Sequence, residues 1–288
     1  MDYYKNFDFS RAKRIVRSAL REDIGTGDVT SDNFITKEGK SKADILVKED
    51  CVLAGTKIFE MVFGVIDSSV KVRFVVKDGE HIKKGKVIGS VEGRSRSILK
   101  GERVALNIFQ RMCGVATQTS NAVKALGDRN IKVTDTRKTT PNMRLFEKLA
   151  VRIGGGKNHR IGLYDMILVK DNHIEANGGL EETLEKIKKI RKKTELKIEV
   201  EVKNIKEFRY LAEHGKSFID RVMLDNFTIP NVKKAIELNK PCFEIEISGG
   251  VHSGNISKYR GIKGIDYISM GSLTHSVKST DISLDFVT

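Results

Sequence analysis

At 288 residues, 39% hydrophobic and 31% charged, the chain has the length for one large or two moderate domains with a sizeable core, and no apolar run approaches the ~18 residues of a membrane span. Cys51, Cys113 and Cys242 are widely spaced with no CxxC pair, which speaks against a disulfide framework and a thiolate zinc site. The net charge of +14 invites nucleic acid or a polyanionic small substrate; with aromatics at 7% and no tryptophan there is no stacking platform, so the small substrate is preferred and neither nucleic acid nor membrane is expected as a partner.

The amino-terminal MDYYKNFDFSRAKR lacks the apolar core of a signal peptide, so a cytoplasmic location is expected. Ala12, Ile15, Val16, Ala19 and Leu20 recur at helical spacing and predict a helix over Ser10–Arg21, with Ser10 as its N-cap. Glu22 to Thr30, EDIGTGDVT, lacks the alternating carboxylates of a calcium loop and reads as a structural turn. From Ala43 to Leu99 the runs ADILVK, CVLAG, VKVRFVV, VIGSVEG and RSILK are short and β-rich, divided by turn signals such as Asp78-Gly79 and Lys84-Gly85. One helix, about Thr56 to Val65, interrupts them, giving an α+β layer with an open, largely antiparallel sheet. Gly101 to Leu126 is one long helical pattern; Arg103 in its first turn reads as a surface residue on spacing alone.

From Ile131 the grammar becomes strand, loop, helix, repeated. Strands are expected at Ile131–Thr134, Met166–Val169, Lys197–Val202, Arg221–Leu224, Phe243–Ile247 and Tyr267–Ser269, with helices at Leu180–Lys193, Ile205–His214, Ile229–Leu238 and near Asn255–Tyr259. Such alternation means a parallel sheet with right-handed crossovers, and the missing GxGxxG at the first turn favours a closed or nearly closed barrel over a dinucleotide-binding sheet.

Barrel enzymes build their sites at the carboxyl ends of the strands. Those ends carry Asp135-Thr136-Arg137-Lys138, Lys170, Glu201, Asp225-Asn226, Ser248-Gly249-Gly250 and Gly271-Ser272, while Lys157-Asn158-His159-Arg160 follows a triple glycine. Arg137, Lys138, His159, Arg160 and Lys170 make a cationic pocket for a multiply charged anion, arginine supplying a two-pronged donor and lysine a point charge. Glu201 and Asp225 suit sugar hydroxyls or a divalent metal, and Glu199 shares the strand face of Glu201 in IEVEV. The two glycine turns suit a phosphate, because glycine lets backbone N–H groups approach its oxygens. A phosphosugar and a polycarboxylate meeting in one pocket fit this set. His159 and His173 lack the HxH or HExxH spacing of metal ligands.

In order from Ser10 to Thr280, the blocks EDIGTGDVT, NIFQRMCGVAT, DTRKTTPNMR, GGGKNHRIGLYDMILVKDNH, EVEV, MLDNF, EISGGV and YISMGSLTHS resemble the quinolinate phosphoribosyltransferases. The resemblance implies the type II phosphoribosyltransferase fold: an N-terminal open-faced α+β sandwich (1–112, joined by the tail 276–288) and an incomplete parallel α/β barrel (113–275). It implies quinolinate held by Arg137, Lys138, His159, Arg160 and Lys170, with Arg103 supplied by the other subunit of a homodimer, itself open to higher assembly. Phosphoribosyl pyrophosphate would meet Glu201, Asp225, Ser248, Gly249, Gly250, Gly271 and His275. Magnesium would enter on its pyrophosphate, with Glu201 and Asp225 as candidate ligands, and Lys138, Lys170, Glu201 and Asp225 would carry the chemistry. Three alternatives stand beside this reading. The first is a related barrel transferase using nicotinate or another acid, or a molybdate-transport-associated homologue. The second is an aldolase-type barrel with a Schiff base at Lys170. The third is a nucleic-acid-binding protein using the Lys186–Lys193 run.

Overall fold

Apolar residues at period two make the strands of this computed structural model and apolar residues at i, i+3 and i+4 make its helices; residues 2–240 and 242–287 are described. The first elements are α1 (Phe9–Ile24), α2 (Val29–Phe34), β1 (Lys40–Val47), β2 (Cys51–Val52), α3 (Thr56–Ile66), β3 (Lys71–Phe74), β4 (His81–Ile82), β5 (Val87–Arg94) and α4 (Ser95–Leu126). Then come β6 (Lys132–Thr134), α5 (Arg144–Ile153), β7 (Ile167–Val169), α6 (Asp171–Ala176), α7 (Leu180–Arg191), β8 (Ile198–Val202) and α8 (Ile205–His214). The chain ends with β9 (Arg221–Asp225), α9 (Ile229–Asn239), β10 (Glu244–Ser248), a 3-10 turn at Ile256–Tyr259, β11 (Tyr267–Ser269), α10 (Ser272–His275) and β12 (Ile282–Val287). Two units result, one of the chain up to Ser120 with Thr139–Gly155 and the chain from Leu273 onward, the other of Asn121–Lys138 with Gly156–Ser272.

In the first unit an antiparallel sheet runs β12-β1-β5-β3, with the C-terminal strand paired to β1 so that Leu284 faces Ile45. Alternation in β1 buries Ala43, Ile45 and Val47 completely. Phe59 and Phe63 of α3, Phe74 of β3 and Phe109 of α4 form one aromatic cluster with ring centroids 5.2 to 5.7 Å apart. A Cβ on Gly114 would lie 2.3 Å from the Lys278 carbonyl, so glycine is what lets α4 approach the segment before β12. Gln110 donates to the Ile282 carbonyl at 2.7 Å beside it.

Local chemistry moves several expected boundaries. The cap of α1 is Asp8, which accepts the Arg11 N–H at 2.7 Å, because its carboxylate reaches the first turn better than Ser10 inside the helix. RSILK is helical: Ile98 continues the apolar stripe of Ala105, Leu106 and Phe109 backward, and α4 begins at Ser95. Of the acidic glycine stretch only residues 25–28 form a turn, since residues 22–24 close α1 and residues 29–30 open α2. Gly25 stands at φ 53°, and Asp28 accepts from Thr30 and Ser31 to cap α2. Helix α5, not anticipated, is anchored by the fully buried Glu147, which accepts from the Thr140 N–H and hydroxyl and pairs with Arg111 at 2.8 Å.

In the second unit six parallel strands run β6-β11-β10-β9-β8-β7. Consecutive β6 and β7 stand at opposite edges, so the barrel is incomplete. Lys157 bridges to Thr134 at the open edge of β6, with its N–H on the Val133 carbonyl. Val133, Ile268, Ile247, Leu224 and Val202 are in register on one face, the apolar one. The other face is polar in three rows: Glu244, Arg221 and Glu199; then Lys132, Tyr267, Glu246, Met223 and Glu201; then Thr134 with Ser269 and Ser248 with Asp225.

Candidate active site

Parallel pairing brings every carboxyl end to the same side of this sheet, where Arg137, Lys138, Lys170, Glu201, Asp225, Ser248, Gly249, Gly250 and Gly271 follow or close their strands. On the cationic side the organiser is Asp135. Fully buried, it accepts the His159 N–H at 2.9 Å and the Asn158 side-chain amide at 2.6 Å, clamping the glycine loop to β6. Arg160 projects from that loop, half-buried. Burial, then the positive charge of Arg137, pulls its pKa below the usual arginine value, and its Nη1 donates to the Met166 carbonyl at 3.4 Å. Lys170, half-exposed, holds Nζ 3.6 Å from Glu201, and Lys138 is exposed.

His159 is buried and turned away from solvent. Its Nε2 meets Glu199 at 2.9 Å and Glu246 at 3.4 Å, and Nδ1 accepts the Arg160 N–H at 2.8 Å. Burial and the charge of Glu246 push Glu199 up to about 7. Arg221 answers that charge, donating to Glu246 at 2.9 Å and Glu244 at 3.0 Å with its guanidinium 3.8 Å from the Tyr267 ring. His173 plays a structural part, since its Nδ1 accepts the Lys170 N–H at 2.9 Å and closes the first turn of α6.

On the carboxylate side, burial first, then Asp225 and Asp171, raises the Glu201 pKa against the opposing pull of Lys170. Asp225 accepts from the Asn226 side chain at 2.8 Å, and the Asn226 N–H donates to the Ser248 carbonyl at 3.0 Å, tying β9 to the glycine turn. Gly249 takes φ 89°, and a Cβ there would lie 2.3 Å from Asn226 Oδ1, so the turn excludes any side chain at that position. Gly250 follows at φ 59°.

Arg103 and His275 belong to the first unit. Arg103 is exposed on α4 with Nη2 2.8 Å from Glu102, and His275 is exposed in α10 with Nδ1 2.6 Å from the Ser276 hydroxyl. Asp135 stands in the DTRK motif but its inward role is not read from it, and Arg221 and Glu246 are polar anchors that motif and spacing do not single out. The available signal is a charged residue in alternation with apolar ones, in IEVEV, RVMLD and FEIEIS.

Two family models account for nearly the whole chain: quinolinate phosphoribosyl transferase, N-terminal domain, over residues 28–113, and quinolinate phosphoribosyl transferase, C-terminal domain, over 115–285. The chain belongs to the quinolinate phosphoribosyltransferase family. It is similar to the mitochondrial quinolinate phosphoribosyltransferase [decarboxylating] 2 of Nicotiana glauca, 42% identical over 287 residues that cover 94% of this chain and 81% of that one. Among solved structures of the family, NadC from Streptococcus pyogenes superposes with a TM-score of 0.91 at 40% identity over 98% of this chain and 99% of its own. The nicotinate-nucleotide pyrophosphorylase from Francisella tularensis reaches 0.90 at 34% identity over the full length of both. No helix among the described residues is long and apolar enough to cross a membrane.

Proposed function

We propose that this chain joins the phosphoribosyl group of phosphoribosyl pyrophosphate to quinolinate and removes one carboxylate, giving nicotinate mononucleotide, pyrophosphate and carbon dioxide for NAD biosynthesis. The observation that carries the reading is that Arg137, Lys170, Glu201, Asp225 and the Gly249 turn share one side of the parallel sheet, with Arg160 on the loop that Asp135 clamps to β6. Two guanidiniums suit a dicarboxylate, and they stand beside groups that suit a ribose and its phosphate.

Arg137, Lys138, Arg160 and Lys170 bind the quinolinate dianion, joined by the partner subunit's Arg103 in a homodimer. Glu201 and Asp225 hold the ribose hydroxyls, and Ser248, Gly249, Gly250 and Gly271, with His275, hold the 5′-phosphate. Alignment then lets the pyridine nitrogen form its bond to the ribose carbon as the bond to pyrophosphate breaks. The positive ring nitrogen stabilises the electron pair left when the 2-carboxylate departs as carbon dioxide, and a proton completes the product. Lys138 and Lys170 stabilise the negative charge at both stages. Glu201 and Asp225 also fit magnesium: both are hard carboxylate oxygen donors, and the charge of Asp225 adds to the burial that raises the Glu201 pKa, a repulsion that a cation would relieve. When bound, magnesium supplies positive charge to the pyrophosphate oxygens. A cytoplasmic setting completes the proposal; Cys51, Cys113 and Cys242 are all free thiols, as suits a reducing compartment.

The test is product formation from quinolinate, phosphoribosyl pyrophosphate and magnesium, followed as carbon dioxide release. Turnover that disappears in Arg137→Ala and under chelation is the expected result. Turnover with nicotinate and none with quinolinate would overturn the reading of the cationic pocket.

A further inference from the structure

The polar face of the parallel sheet holds a charged cluster that the chemistry above does not use. Glu199 on β8 and Glu246 on β10 are fully buried, and the Oε1 atom of each lacks a hydrogen-bond partner among the described residues. Their Oε2 atoms flank His159 Nε2 at 2.9 and 3.4 Å. On the far side of the ring, Nδ1 accepts the Arg160 N–H at 2.8 Å. An acceptor at Nδ1 has no hydrogen, so the ring carries its hydrogen on Nε2, where two carboxylates compete for it. Burial lowers the ring pKa and the two carboxylates outweigh it, pushing it up to about 9, in favour of a second proton; the Arg160 N–H that ends on Nδ1 opposes that proton, because it occupies the lone pair where the proton would go.

Both ring nitrogens are therefore committed inside the protein, and a continuous chain of contacts runs from the sheet to the pocket: Arg221, Glu246, His159, then the main chain of Arg160. We propose that Glu199 and Glu246, anchored by Arg221, are positioning residues of the quinolinate site: they lock His159 in its Nε2–H tautomer, and the ring in turn sets the backbone from which the Arg160 guanidinium projects. This rests on the proposed function, and it changes the part given to His159, which acts on the dianion through Arg160 rather than by a ring nitrogen. The same three side chains have ligand atoms within 4.8 Å of one another, close enough for one cation. A cation there would sit beside the Arg221 guanidinium and displace the Nε2 hydrogen, whereas a proton in that position incurs neither cost.

The experiment compares the intact chain with Glu199→Ala and Glu199→Gln by two readouts. The first is the long-range proton–nitrogen spectrum of histidine-labelled, substrate-free protein. The resonance of His159 among the 6 histidines is identified by its loss in His159→Asn. The second is kcat and KM for each substrate. An Nε2–H ring is expected in the intact chain and a mixture of tautomers in Glu199→Ala. There the KM for quinolinate rises roughly ten- to a hundredfold while kcat and the KM for phosphoribosyl pyrophosphate stay within about twofold. Glu199→Gln keeps an acceptor for Nε2–H and restores both the tautomer and the KM. An Nδ1–H or doubly protonated ring in the intact chain overturns the lock, as does a parallel loss for both substrates. So does a stoichiometric divalent cation that is bound by the intact chain and lost in Glu199→Ala. If the intact chain does not turn over quinolinate, the proposed function fails, and the substrate-free spectrum still decides whether the lock exists.

Discussion

What a carboxylate does in this chain depends on what donates to it. Asp67 accepts from the Ser69 N–H and hydroxyl and the Ser97 hydroxyl, with Arg94 at 3.4 Å, and these donors hold its pKa at about 2. A folded-state value below the unfolded one means that the ionised form stabilises the fold. That contribution is complete above the ordinary aspartate pKa and disappears as pH falls through about 2. Asp67→Asn should therefore melt below the parent chain near neutrality, with the gap closing as the buffer is taken toward pH 2. Melting curves of the two proteins across that range check it; a gap independent of pH would remove the assignment. Asp135 makes the contrasting case, spending both oxygens on the loop that carries His159 and Arg160. Arg137 and Arg160 are legible as candidate site residues because each lies in a dense local motif. Asp135 lies in the same motif and is not, because a carboxylate among cations gives no sequence sign that it faces inward. Glu199, Arg221 and Glu246 stand on three different strands, and only the register of β8, β9 and β10 brings them together.

At the scale of elements, periodicity is a good guide wherever a residue's neighbours are its own. Helices α7, α8 and α9 and the six parallel strands follow the sequence pattern to within a residue or two at each end. RSILK misleads because five residues carry too little period to separate a strand from the first turns of a helix, and α2 and α5 owe their starts to caps and a buried glutamate. Glycine in helices divides in the same way. Gly114 in α4 faces the Lys278 carbonyl, where a Cβ would stand at 2.3 Å, whereas a Cβ on Gly64 in α3 meets nothing within 4 Å. Gly114→Ala should destabilise by about 1–3 kcal/mol through forced backbone movement. Gly64→Ala should stabilise by about 0.5–1 kcal/mol, since alanine loses less backbone entropy in a helix. Denaturant midpoints of the two variants against the parent separate the effects by sign; two losses of similar size would mean that the close approach of α4 is not what requires glycine.

At the scale of the molecule, the sequence points to two layers and to one mouth of strand ends, because a parallel sheet obliges its carboxyl ends to share a side. Subunit borrowing is not legible in spacing, and Arg103 owes its assignment to family resemblance alone. A mixing experiment addresses it. Arg103→Ala and Lys170→Ala should each be inactive as pure proteins. If each site takes Arg103 from the partner, a mixed dimer contains one site with both substitutions and one with neither. Random exchange of subunits makes about half of the dimers mixed, so about a quarter of the parent activity should return when the two inactive proteins are dissociated and reassociated together. If Arg103 serves the barrel of its own chain, no assortment of subunits rebuilds a complete site and activity stays absent. The first result requires both a dimer and a shared site; the second, with exchange confirmed by mass-labelled subunits, assigns Arg103 to its own chain, whereas a fully active pure Arg103→Ala would leave it the surface residue that its spacing on α4 suggests.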